Sequence, residues 1–175
     1  MTAADLPNHT APIIVTALFG KQDQAWFDGL RRAHFPPERN HLAAHLTMFH
    51  HLSPVIEAEL RQRLVNETRR VPAPEARVTG LMSLGRGTAF RIESPGLADI
   101  RARIADAFAM MLVPQDAAPW RAHVTVQNKV TPAEAKALYN ELNVDFRPCP
   151  VAIAGLATWW YRGGPWEPLS RHMFG

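Results

Sequence analysis

The five residues Ala44 to Met48, "AHLTM", return as Ala122 to Val126, "AHVTV". Each copy reads alanine, histidine, aliphatic, threonine, aliphatic. One His-x-Thr arises often by chance. Two copies in the same succession of segments mark a duplicated layout. A helix and a loop precede each copy. A capped helix that starts with proline follows each, at Ser53-Pro54 and at Thr131-Pro132. A fold for this chain must therefore seat two equivalent strands.

Polarity narrows the choice further. Side chains alternate along a strand, so His45 and Thr47 share one face while Leu46 and Met48 share the other. His123 and Thr125 stand in the same way against Val124 and Val126. The apolar faces can pack under helices, but the polar faces need partners or water. A pseudo-two-fold relating the copies brings both polar faces to one cleft, which then holds two imidazoles and two hydroxyls.

The flanking sequence supplies the scaffold. "PIIVTALF" (12–19) is a short β-branched run that reads as a buried strand. "DQAWFDGLRRAHF" (23–35) reads as a helix with Asp23 as its cap and Trp26, Phe27 and Leu30 on one face. After Ser53-Pro54, Ile56, Leu60 and Leu64 recur at helical spacing, and Glu57/Arg61 and Glu59/Arg63 support them. "EARVTGLMSLGRGTAFRIES" (75–94) is two strands around a "LGRG" turn. Ser94-Pro95 opens a helix that turns Leu97, Ile100, Ile104 and Phe108 inward. "VPQDAAP" reads as a loop. "TPAE" (131–134) is a capping box, and Ala135, Leu138, Tyr139 and Leu142 follow as an apolar face. "VAIAGLATWWY" (151–161) is a strand, and "RGGPWEPL" a turn. The order βαβαββαβαβ predicts an α+β fold with mixed or antiparallel sheets covered by helices.

Two histidines beside one phosphoryl group can divide acid and base work. One takes a proton from the nucleophile and the other gives one to the leaving oxygen, because a pKa near 6.5 makes both states available. Two threonine hydroxyls can donate to the non-bridging oxygens. A cyclic phosphodiester suits such a site.

Paired His-x-Thr motifs on strands of a duplicated α+β layout resemble the 2H phosphoesterase superfamily, which includes the bacterial 2'-5' RNA ligase-like proteins and cyclic nucleotide phosphodiesterases. The resemblance extends over nearly the whole chain. It implies two pseudo-symmetric lobes around a central cleft, each a small antiparallel sheet packed with helices, in a single domain over 1–175. It implies metal-independent hydrolysis of 2',3'-cyclic phosphates at an RNA end or on a nucleotide, or 2'-5' RNA bond formation, with no cofactor. The motifs map onto His45 and His123 as catalytic residues and Thr47 and Thr125 as phosphate-binding ones. Ala44 and Ala122 stand where many members have proline. Gln127, Asn128 and Lys129 stand where many have a basic residue. The alternatives are a non-catalytic module that holds an RNA end or nucleotide, and a phosphodiesterase for a different small cyclic phosphate.

Further substrate-binding candidates follow from position. Phe49 has the parity of Thr47 and can stack on a base. Gln127 and Lys129 have the parity of His123 and Thr125, so Lys129 can reach a phosphate. Arg91 on its strand and Arg86 at the hairpin tip can supply positive potential. Tyr161 heads an aromatic group with Trp159, Trp160 and Trp166, one side of which can meet a base. His51 has the parity of His45 but reads as an exposed strand-end histidine. His41 and His45 are four apart, the spacing of a helical zinc pair, yet they lack the glutamate of HExxH and precede a strand. No metal site is expected.

Composition excludes several classes. The chain has 175 residues, 47% of them hydrophobic, enough for a real core. A net charge of +3 without basic runs excludes a nucleic-acid coat protein. The single cysteine, Cys149, forms no intrachain disulfide and suits a reducing cytosol. The first residues read as a polar leader and a strand rather than a signal peptide. No segment reaches the length of a membrane span. The expected setting is cytoplasmic, with no obligate protein partner.

Overall fold

The computed structural model describes residues 10–175; the expected polar leader lies outside them in its first nine residues. The strands are β1 (Ile13–Phe19), β2 (Leu46–Leu52), β3 (Glu75–Ser83), β4 (Thr88–Glu93), β5 (His123–Gln127), β6 (Cys149–Trp160) and β7 (Glu167–Met173). The helices are α1 (Lys21–His34), α2 (Glu57–Thr68), α3 (Pro95–Ala107), the short α4 (Pro114–Ala117) and α5 (Pro132–Val144). The strands join in the order β2-β1-β6-β3-β4-β5, with β7 added to β6. Every pairing is antiparallel.

β6 runs through both halves. Its first residues, Cys149 to Ala152, pair with β3. Its later residues pair with β1 on one side and with β7 on the other. The motif strands β2 and β5 stand at the two ends of the strand order, yet they touch. The right-handed twist of a sheet brings such ends round toward each other. α1 locks the closure. Its Phe27 is fully buried and stacks near Phe19 of β1 at 5.0 Å and Phe90 of β4 at 6.2 Å.

The helices form where the apolar spacing predicts them, and their starts differ in detail. Asp23 does not cap α1. Gly20 holds the cap position, and the Asp23 carboxylate accepts from the Ala152 amide of β6 at 2.7 Å. Ser53 and Ser94 do accept backbone amides at their helix starts, and Thr131 accepts from the Glu134 amide. Glu57–Arg61 and Glu59–Arg63 form on the exposed face of α2.

The β3–β4 turn sits tightly against β5. A Cβ at Gly87 would lie 2.2 Å from the Gln127 carbonyl oxygen, so only glycine fits there. "VPQDAAP", read as a loop, contains α4, and the Gly/Pro turn after β6 leads into β7. Among the described residues no helix is long and apolar enough to cross a membrane.

Candidate active site

His45, Thr47, His123 and Thr125 line one open cleft of about 360 Å³. The two motif strands are shaped alike beyond their sequence match. Thr47 pairs with Thr16 and Phe49 with Val15, so Met48 is an extra residue, a β-bulge. Thr125 pairs with Ala89 and Gln127 with Thr88, so Val126 is an extra residue at the matching place.

The bulges change which residues reach the cleft. Simple alternation puts Phe49 and Gln127 on the polar face, but each bulge turns two successive residues inward. Phe49 is fully buried and packs in the core, and Gln127 is 6% exposed. After the first bulge His50, rather than His51, lines the cleft. After the second, Asn128 lines the adjoining groove.

The imidazoles are held identically. Nδ1 of His45 bonds the Ala43 carbonyl at 2.8 Å, and Nδ1 of His123 bonds the Arg121 carbonyl at 2.6 Å. A carbonyl only accepts, so Nδ1 carries the proton on each ring and Nε2 is left for the cleft. Burial lowers the pKa of His45 from 6.5 to about 4, against the opposing effect of its bond to Ala43; the charges of Arg31, His123 and His50 lower it further. At neutral pH His45 is therefore an uncharged base. The Trp166 ring packs on it, with centroids 4.6 Å apart.

Two buried arginines cross between the halves. Arg31 of α1 donates to the Thr125 carbonyl of β5 at 2.9 Å and to Asn40 Oδ1 at 3.2 Å. Arg101 of α3 donates to the Met48 carbonyl of β2 at 2.8 Å and to the Asp116 carbonyl at 2.8 Å. Each helix thus grips the other half's motif strand beside its threonine. Trp120 adds a bond from its indole N–H to the Thr47 carbonyl at 2.9 Å. The buried Asp116 carboxylate accepts from the amides of His50 and His51 at 2.8 and 2.9 Å and from the His50 ring at 3.2 Å. Burial alone would raise the Asp116 carboxyl, but these hydrogen bonds outweigh it and hold the group below its usual range.

The remaining candidates fall in several places. Lys129 adopts a left-handed backbone past the end of β5, with φ of 62°, and lines the adjoining groove with Tyr161, Arg31 and His41. Arg91 is exposed on β4, directly opposite His123 in the pairing. Arg86 bonds the Val130 carbonyl and supports the turn. Trp159 donates to Thr16 and lines a groove beside His45 with Trp166, while Trp160 packs in the core; Trp166 also reaches the cleft. Among the described residues no group of three histidine, cysteine or acidic side chains is placed to hold a metal.

Arg31, Arg101, Asp116 and Trp120 are the functional-site residues that sequence reasoning missed. Arg101 alone left a signal. It sits within the apolar stripe of Leu97, Ile104 and Phe108, where a charge needs a partner.

Solved structures share this fold. E. coli LigT complexed with 3'-AMP superposes with a TM-score of 0.62 at 18% identity, covering 94% of this chain and 98% of that one. The protein TT0787 of Thermus thermophilus superposes with a TM-score of 0.58 at 13% identity, covering 93% and 97%. The architecture is that of the LigT-like α+β proteins. The sequence matches the model of the 2'-5' RNA ligase superfamily over residues 19–165, and the chain belongs to that family, the 2H phosphoesterases. No curated protein matches it.

Proposed function

We propose that the protein hydrolyses 2',3'-cyclic phosphates at RNA ends or on nucleotides, in the cytoplasm, through His45 and His123. One observation carries the reading. Two His-x-Thr units open on one cleft, and each ring is tied through Nδ1 so that Nε2 is the reactive nitrogen. The 3'-AMP found in E. coli LigT supports a nucleotide phosphate as ligand.

The neutral state of His45 favours it as base. His45 Nε2 takes a proton from water as the oxygen attacks phosphorus. The bond from phosphorus to the 3'-oxygen breaks, and protonated His123 gives that oxygen its proton. Thr47 and Thr125 donate to the non-bridging oxygens as charge builds on them. A 2'-phosphate and a 3'-hydroxyl leave. None of these steps uses a metal ion. The two matching motif strands support a single duplicated domain.

The family also supports a second outcome of the same step. When a 5'-hydroxyl replaces water, the same bond breaks and a 2'-5' phosphodiester remains.

The test is turnover of adenosine 2',3'-cyclic phosphate. His45→Ala and His123→Ala should each lower kcat by about 10²–10⁴-fold while circular dichroism stays unchanged. Wild-type rates in both variants would overturn the assignment.

A further inference from the structure

We propose that the cleft holds a second phosphate subsite at its Arg101–His50 end, which takes another phosphate of the same substrate across one sugar from the reacting phosphorus. The proposal rests on the function proposed above.

Arg101 is 8% exposed yet lines the cleft. Its Nε and Nη2 are committed to the Met48 and Asp116 carbonyls, and its Nη1 makes no hydrogen bond among the described residues. Both acceptors are uncharged carbonyls; the Asp116 carboxylate acts on the guanidinium only through space, and the Phe49 and Trp120 rings lie 4.6 and 5.7 Å from it. A nearly buried guanidinium with a spare donor and no carboxylate hydrogen-bonded to it can take an anion from the cleft. Phosphate matches its planar fork.

His50 stands beside it with a fixed orientation. Its Nδ1–H donates to Asp116 Oδ1, so Nε2 is left for the cleft and donates to a phosphate oxygen when the ring is protonated. The Asp116 side chain is wholly buried, and both its oxygens are occupied by N–H donors. It serves as an anchor and presents no carboxylate to the cleft. Gln115 and Arg121 also line the cleft, and among the described residues no acidic side chain does.

The spacing separates this subsite from the reacting one. Thr47 and His50 are three residues apart, roughly 10 Å at about 3.3 Å per residue, and the Met48 bulge shortens that. One phosphate cannot span both positions, but two phosphates on either side of a ribose can. The second phosphate is either the 5'-phosphate of a mononucleotide or the next phosphodiester of an oligonucleotide.

The experiment compares three substrates: adenosine 2',3'-cyclic phosphate, the same compound with a 5'-phosphate, and a diadenosine bearing a terminal 2',3'-cyclic phosphate. The wild type should turn over one or both of the two-phosphate substrates with kcat/KM on the order of tenfold higher, the effect of one added charge-assisted bond. His50→Ala and Arg121→Ala should shrink that advantage to about twofold, mainly through KM. A gain with the 5'-phosphate compound assigns the site to a terminal phosphate. A gain confined to the diadenosine assigns it to an internal one. Equal kcat/KM on all three overturns the subsite and leaves the proposed activity standing. No turnover of any overturns the activity instead. Calorimetric affinities for the same three compounds then decide the subsite, with equal affinities counting against it.

Discussion

Trp166→Ala should release the pKa of His45. The Trp166 ring lies 4.6 Å from the imidazole and borders the cleft. Burial is the largest cause of the drop from 6.5 to about 4. At about 1.4 kcal/mol per pH unit, that drop corresponds to roughly 3 kcal/mol in favour of the neutral ring. Opening the ring to water should return its pKa toward 6.5 by at least about one unit, with the charges of Arg31 and His123 retaining the rest. At pH 5 a ring with pKa near 4 is about 90% neutral, and one near 6.5 only about 3%. At pH 5 the variant should therefore fall up to about thirtyfold in kcat/KM below the wild type at the same pH. Proton NMR titration of the His45 ring reads the pKa directly, and the pH–rate profile reads its consequence. The stability consequence has the same sign. A depressed folded pKa means that stability is intact above 6.5 and declines as pH falls through about 4. Trp166→Ala should flatten that acid-side decline. A His45 ring still titrating near 4 in the variant would refute the role assigned to Trp166.

Three other substitutions test the framework. Arg31→Met strands the Thr125 carbonyl that it now bonds at 2.9 Å and should cost about 1–3 kcal/mol in urea denaturation; it should also raise the His45 titration by removing a neighbouring positive charge. Asp116→Asn weakens the acceptor of three N–H donors. The carboxyl's lowered pKa stabilises the fold above its ordinary 3.8, and that stability is lost as pH falls below it, so the variant should lose stability at pH 7 while shedding that part of the wild type's acid sensitivity. Gly87→Ala places a Cβ 2.2 Å from the Gln127 carbonyl oxygen and should cost about 1–3 kcal/mol, read from thermal unfolding.

The motif residues were legible because repetition and alternation are written in the chain itself. His45, Thr47, His123 and Thr125 stand together as that pattern predicts. The bulges at Met48 and Val126 were not legible. Each adds one residue against a partner strand, and only the pairing reveals it. That one offset sends Phe49 and Gln127 inward and brings His50 to the cleft. Arg31 and Arg101 escaped notice because their acceptors lie in distant segments of the chain. Asp116 sits in a stretch with no periodicity, and its partners are backbone amides, which any sequence supplies. β7 hid behind the Gly/Pro turn, since "EPLSRHM" alternates too weakly to announce a strand.

The central claim is that the two imidazoles act on one phosphate from opposite sides. A crystal structure with adenosine 2'-phosphate bound tests it most directly. The account predicts the phosphate between His45 Nε2 and His123 Nε2, each within hydrogen-bond distance of a phosphate oxygen, with the Thr47 and Thr125 hydroxyls on the remaining oxygens. A phosphate seated away from both rings, or held through only one of them, would contradict it.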